Sequence, residues 1–169
     1  MTRLLGIDLG ERRIGLAIAD SVAGIARPHA TVARAATIDG DAEAIRTACR
    51  GQGIDELVVG LPLEASGVEG PMATAARAWA AAIGEALSLP VTLRDERLSS
   101  FEAERRLGRM PRGRSGGPPT RAQRNAFRAR VDREAAAVIL QDELDARASA
   151  ATAGPAMSTA SSPDPEPGR

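Results

Sequence analysis

Four acids occupy places where a folded chain rarely keeps acids. Asp8 interrupts the apolar run Leu4-Leu5-Gly6-Ile7-Asp8-Leu9-Gly10, with a glycine two positions to either side. Asp95 and Glu96 close another run, Pro90-Val91-Thr92-Leu93-Arg94. Asp132 lies one position past Val131, at the border of an apolar helical stripe, from where it can face a sheet rather than bulk water. Charged residues in a buried strand need a partner or a metal ion. The glycines at 6 and 10 remove side chains beside Asp8, so a bulky ligand such as a phosphate backbone can reach the main chain. Clustered carboxylates repel one another, and all-oxygen ligands without Cys or His favour Mg²⁺ or Mn²⁺. Two such ions about 3.5–4 Å apart clamp the attacking and leaving oxygens of a phosphodiester, with no histidine base required. The plainer alternative is a hairpin with a turn aspartate, a solvated strand end and a helix-surface acid.

The elements that must bring these acids together follow from hydrophobic periodicity. Strands are predicted near 3–9 and 14–20, the second with Ile14, Leu16 and Ile18 on one face and Gly15, Ala17 and Ala19 on the other. A third, near 25–34, contains Pro28, which suits an edge. A helix near 41–51 starts at Asp39 or Asp41, with Ala44, Ile45, Ala48 and Cys49 as its stripe. Glu56–Pro62 reads as a buried strand. Pro71 opens a helix reaching about Leu87, with Met72, Ala75, Ala76, Trp79 and Ile83 at helical spacing. After the strand ending at Asp95–Arg97, Ser99 and Glu102 form a capping box for a short helix whose apolar residues are Phe101, Ala103 and Leu107. The last helix starts between Thr120, with Gln123 as its capping partner, and residue 128, and ends near Ala148. Short links join the first three strands, which predicts antiparallel pairing; the next two follow helices and should be parallel. With strand one central, Asp8 and the 95–96 pair share one end of the sheet, and Asp132 adds a third carboxylate from the packed helix.

The totals bound the rest. The chain has 169 residues, which suits one domain with its own core; we assign 1–148 to it and 149–169 to a disordered Ala/Ser/Pro-rich tail. There are 22 acidic and 22 basic residues, and every basic one is arginine, so net charge points to no partner. One cysteine, Cys49, excludes an internal disulfide framework and fits the cytoplasm. No apolar run approaches the roughly 20 residues of a membrane span, and Met1-Thr2-Arg3 shows no leader pattern. His29, the sole histidine, reads as an edge-strand residue. Residues 108–120 hold Arg109, Arg112 and Arg114 among glycines and prolines, a basic loop able to hold a phosphate backbone.

Gly6-Ile7-Asp8-Leu9-Gly10 with Arg12-Arg13-Ile14-Gly15-Leu16-Ala17 and Asp20 resembles the opening of the YqgF/RuvX family. The resemblance continues through Val59-Gly60-Leu61-Pro62-Leu63 with Gly67 and Gly70, through Asp95-Glu96-Arg97-Leu98-Ser99-Ser100 with Glu102-Ala103-Glu104, and through Asp132, Ala135-Ala136, Ile139-Leu140-Gln141 and Leu144. It covers residues 3–146 in four blocks in the family's order. It implies an α/β, RNase H-like fold: a mixed five-stranded sheet flanked by helices. It also implies a metal-dependent nuclease, described in this family both as a processing nuclease of the pre-16S rRNA 5′ end and as a Holliday junction resolvase. By motif position Asp8, Glu96 and Asp132 would be the metal-binding catalytic acids, and Arg13 and Arg97 would neighbour phosphate. Because a strand alternates faces, only one of Asp95 and Glu96 should point at the metals. The implied partner is nucleic acid, precursor rRNA or alternatively branched DNA. A resolvase would act as a two-fold dimer. Two readings differ in kind. A non-catalytic ribosome-assembly or RNA-binding protein could keep the fold, though retention of three acids argues against it. Asp-x-Gly before a hairpin also resembles actin-like and sugar-kinase ATPases, which need two lobes where these 169 residues supply one.

Overall fold

The structure, a computed structural model, describes residues 1–97, 99–112 and 116–152. Five strands form one sheet in the order β3-β2-β1-β4-β5: β1 Arg3–Leu9, β2 Arg13–Asp20, β3 Arg27–Ala33, β4 Glu56–Leu61 and β5 Val91–Asp95. β1 runs antiparallel to β2, and β2 to β3, while β4 and β5 join parallel to β1. A central β1 between an antiparallel hairpin arm and a parallel arm is the RNase H-like arrangement. The helices are α1 Ile38–Ala48, α2 Pro71–Leu87, α3 Ser99–Leu107 and α4 Arg121–Thr152.

Strand alternation splits the core in two. Leu5, Ile7, Ile14, Leu16, Leu57 and Val59 pack against Ile45 of α1 and Trp79 and Ile83 of α2. On the opposite face Leu4, Ala17, Ala19 and Val58 pack against Ala136, Ile139 and Leu140 of α4. The second face is floored with small residues because α4 lies very close to it. A Cβ at Gly6 would stand 2.7 Å from the Ala136 carbonyl oxygen, and one at Gly15 would collide with the Asp132 backbone. Asp8 follows Leu4 and Gly6 on this face, so it rises beside α4.

The most deeply buried carboxylate among the described residues is Asp41, 1% exposed. It accepts hydrogen bonds from Trp79 Nε1 at 2.9 Å, Arg34 Nε at 3.0 Å and the Ala35 amide at 2.7 Å. Arg34 also donates through Nη1 to the Gly10 carbonyl at 3.1 Å, and its amide donates to the Arg12 carbonyl at 2.9 Å. This network fixes the β1–β2 turn from below.

Several local expectations change. Thr37, not Asp39 or Asp41, caps α1, its hydroxyl accepting from the Gly40 amide, so the helix starts three residues early. Met72 and Phe101, placed on apolar stripes, are each 68% exposed; α2 buries Ala76, Trp79 and Ile83 of its stripe, together with Ala73 and Ala80. The Ser99–Glu102 capping box does not form, because Glu102 pairs with Arg105 and Arg106 while Ser99 Oγ donates to the Glu96 carbonyl. Thr120 and Gln123 do form one: the Thr120 amide donates to Gln123 Oε1 at 2.8 Å and the Gln123 amide to Thr120 Oγ1 at 3.2 Å. That box starts α4 at Arg121, and the helix continues through Thr152, four residues past its expected end near Ala148. The rest of the assigned tail, 153–169, lies outside the described residues. His29 Nε2 bonds the Ala48 carbonyl at 2.8 Å, a structural contact.

Candidate active site

The site lies on the α4 face, at the end of the sheet where β1 and β4 finish. Asp8 pairs in register with Gly15 of β2. On the other side stands β4, whose Gly60 also faces α4, below Ile139. Asp8 therefore rises from a floor with no neighbouring side chain on either flanking strand. The Asp132 turn of α4 fills the space over Gly15, and the Glu96 carboxylate fills the space over Gly60. A Cβ at Gly60 would collide with Glu96 Oε2. These strand glycines are what lets three chain segments converge around one aspartate.

Glu96 follows directly after β5, fixed by its amide donating to the Leu61 carbonyl at 3.2 Å. Its Oε2 is buried with no hydrogen-bond partner among the described residues. Burial, then the charges of Asp8 and Asp95, push its pKa up to about 8. Burial, then Asp132, push Asp8 up to about 7. The adjacent Asp95 behaves oppositely. Burial would raise it, but the bonds it accepts from the Arg97 side chain and amide outweigh that and hold it low. The Arg97–Asp95 ion pair measures 2.8 Å. Strand alternation thus separates the two neighbours: Glu96 turns inward toward Asp8, and Asp95 turns outward to Arg97.

Asp132 sits at the third side, ion-paired and hydrogen-bonded to Arg13 Nε. Asp132 raises Asp8, and Asp8 in turn raises Glu96. The three are not gathered tightly enough to hold one ion as they stand, and no group of three His, Cys, Asp or Glu side chains is, among the described residues. The donor set still suits a hard cation. It is all oxygen, it includes a buried carboxylate oxygen with no internal donor among the described residues, and two of its acids lie high because burial and neighbouring carboxylates disfavour their charge.

Of the basic residues singled out, Arg13 is at the site and Arg97 flanks it, its Nη1 donating to the Ala65 carbonyl at 3.3 Å. Arg112 is exposed in the segment between α3 and α4, and no hydrogen bond ties it to the acids among the described residues. Arg114 lies outside the described residues. Two open clefts flank the acids. One, about 500 Å³, is bounded by Arg94, Glu96, Ser99 and Asp142. The other, about 430 Å³, is bounded by Glu11, Arg12, Arg13, Arg128 and Asp132. Neither Arg12 nor the Arg34–Asp41 support stands out in the sequence as part of a site. Arg34 lies far from the acids in sequence, and only strand pairing brings β3 to the turn.

An RNase H-like sheet that brings carboxylates from β1, the end of β5 and the helix packed on it to one place has the donor set of phosphodiester-cleaving proteins. This chain belongs to the RuvX family: the family model described as "RuvX: Holliday junction resolvase" matches residues 2–146. A protein of Anaeromyxobacter sp. (strain K), named "Putative pre-16S rRNA nuclease", is 49% identical over 146 residues, covering 86% of this chain and 98% of its own. A protein of the same name from Chloroflexus aurantiacus is 40% identical, covering 86% and 88%. Among solved structures, T. thermophilus RuvC in complex with a Holliday junction substrate matches with TM-score 0.46 and 15% identity, covering 88% of this chain and 96% of that one.

Proposed function

We propose that this protein is a divalent-metal-dependent nuclease that processes the 5′ end of pre-16S rRNA. The observation that carries the reading is the inward-turned pair Asp8 and Glu96, both raised by burial and then by neighbouring acids, with Glu96 Oε2 left unpaired among the described residues. A fold keeps such a pair at a cost unless a cation joins it. The family match and the names of the relatives at 49% and 40% identity support phosphodiester hydrolysis and the rRNA substrate.

In this reading Asp8 and Glu96 hold Mg²⁺ or Mn²⁺, and Asp132 completes the set from α4. Bound there, the metal would lower the pKa of the attacking water and neutralise charge on the departing oxygen. Asp8 supplies the central carboxylate. Gly15 and Gly60 leave room for the Asp132 turn and the Glu96 carboxylate to stand beside Asp8. Arg13 orients Asp132 and neutralises it while the metal is away, and Arg97 holds Asp95 out of the ligand set. Charge-assisted pairs of this kind fix geometry more than they add stability.

The family description favours a second reading, resolution of four-way DNA junctions, with the same chemistry on another polymer and a two-fold dimer as the working form. One experiment separates the two. A labelled pre-16S 5′ end and a four-way DNA junction are incubated with Mg²⁺ or Mn²⁺ and with either wild type or Asp8→Asn. Cleavage of the RNA alone, lost in the variant, is the expected result. Cleavage of the junction alone would establish the resolvase. Cleavage of neither would leave an assembly or RNA-binding role.

A further inference from the structure

The chain carries equal numbers of acids and arginines, yet it distributes them unequally. On the other helices the arginines are matched: Arg46 with Glu43, Arg77 with Glu69, Arg105 with Glu102, and Arg106 with Glu102 and Glu134. The C-terminal half of α4 follows the same habit, Arg147 bridging Glu143 and Glu56. The N-terminal half of α4 does not. From Arg121 to Arg133 it has five arginines and one acid, Asp132, which is already bridged to Arg13. Arg121, Arg124, Arg128 and Asp132 recur at spacings of three and four, so they share one face of the helix. That face spans about 16 Å from Arg121 to the acid. Arg121, Arg124 and Arg128 are exposed, and Arg124 donates locally to the Pro119 carbonyl.

At its inner end the stripe meets the cleft of about 430 Å³ that it shares with the β1–β2 turn. Arg12 enters this cleft from a turn whose backbone is fixed by the Arg34 amide and guanidinium. Among the described residues neither Arg12 nor Arg128 has an ion-pair partner. Glu11 lies in the same cleft and opposes them, so Arg121 and Arg124 further out are needed to make the path positive. Unmatched guanidiniums in a row suit the repeated anions of a phosphodiester backbone.

Resting on the nuclease reading above, we propose that a single strand of the substrate enters the site along this face. Its phosphates are held by Arg12 and Arg128 beside Asp132, with Arg121 and Arg124 guiding it further out. The path reads phosphate, which RNA and DNA share. It gives the site a direction, because the strand arrives from the α4 side and not from the acidic cleft by Asp142.

The test measures binding of the full chain to a fluorescent 16-nucleotide single strand, as RNA and as DNA of the same sequence. It uses anisotropy with chelator present and salt varied. The Arg12→Ala/Arg128→Ala double variant should lower the log–log salt slope by about 1.5 on whichever polymer wild type binds, and weaken low-salt binding roughly tenfold or more. The Arg12→Lys/Arg128→Lys pair should restore the slope, and Arg50→Ala, an exposed arginine beyond α1, should not move it. In cleavage, the double alanine variant should raise KM with kcat held within about twofold. An unchanged slope, an equal fall in Arg50→Ala, or no binding by wild type overturns the path. An unchanged slope with cleavage still dependent on Asp8 removes only the path. A lowered slope with no Asp8-dependent cleavage removes the nuclease reading and keeps the binding face.

Discussion

At the scale of the residue, the site depends on two places where a side chain is missing. Gly60 leaves room for the Glu96 carboxylate, and Gly15 leaves room for the Asp132 turn. Gly60→Ala should therefore displace Glu96 and abolish most cleavage, by about 100-fold or more, while overpacking costs about 1–3 kcal/mol of stability. Paired cleavage and urea-unfolding measurements check both halves, and full activity in the variant would show that Glu96 is not needed where it stands. The raised acids make a second prediction. Asp8 and Glu96 stay protonated in the folded chain up to about pH 7 and pH 8, whereas unfolded they ionise near 3.8 and 4.5. The folded state thus holds extra protons between those limits, so their contribution to stability is whole below about pH 4 and drains away as pH rises through 7 and 8. In chelator, the Tm of Asp8→Asn minus that of wild type should grow by several degrees from pH 5 to pH 8. Adding Mn²⁺ should raise wild type more than the variant. A difference that is flat with pH would mean Asp8 ionises freely.

At the scale of the element, the close seat of α4 on β1 and β2 is what brings Asp132 to Asp8. Gly15→Val should lift the helix at that point, lowering stability by roughly 1–3 kcal/mol and removing Asp132 from the site. Hydrogen exchange should then quicken around residues 128–136, and a protected helix there would count against the tight seat. Thr120→Ala removes one half of the capping box, at a cost of about 1 kcal/mol confined to the first turns of α4. The elements were legible in the sequence wherever periodicity was strong. Pro71 to Leu87 reads as helix and is one, and the alternation of β2 assigns Ile14 and Leu16 to one face and Gly15 and Ala17 to the other. Asp8 was legible because a carboxylate inside an apolar strand is costly. The choice between Asp95 and Glu96 was not, since alternation says only that the two neighbours face opposite ways, and which one turns inward shows only in the Arg97–Asp95 pairing and in the Glu96 carboxylate over Gly60. Phe101 misled because an aromatic on a short amphipathic helix looks like core, yet Ala103 takes the buried position. Thr37 was overlooked because Asp39 and Asp41 sit where caps belong, and Asp41 is spent inside the core.

At the scale of the whole molecule, two helices cover one face of the sheet and α4 the other, and the acids open at one end between them. The network beneath the β1–β2 turn ties α1, α2 and the end of β3 to the turn. Asp41→Ala would leave the Trp79 indole N–H, the Ala35 amide and the Arg34 guanidinium without their acceptor, at a cost of about 3 kcal/mol or more. Urea unfolding measures that cost, and a loss under about 1 kcal/mol would show that water replaces the carboxylate.

Trp79, the only tryptophan of the chain, lies at the bottom of that network, with the Arg34 guanidinium 5.8 Å from its ring centroid. Arg34 in turn holds the carbonyl of Gly10, two residues past Asp8. The protein thus has a built-in fluorophore wired to the rim of its site through a single guanidinium. Loading of the site that shifts the turn should therefore change the emission of the indole without a label, and an unchanged spectrum on adding Mn²⁺ would show that the turn stays where it is.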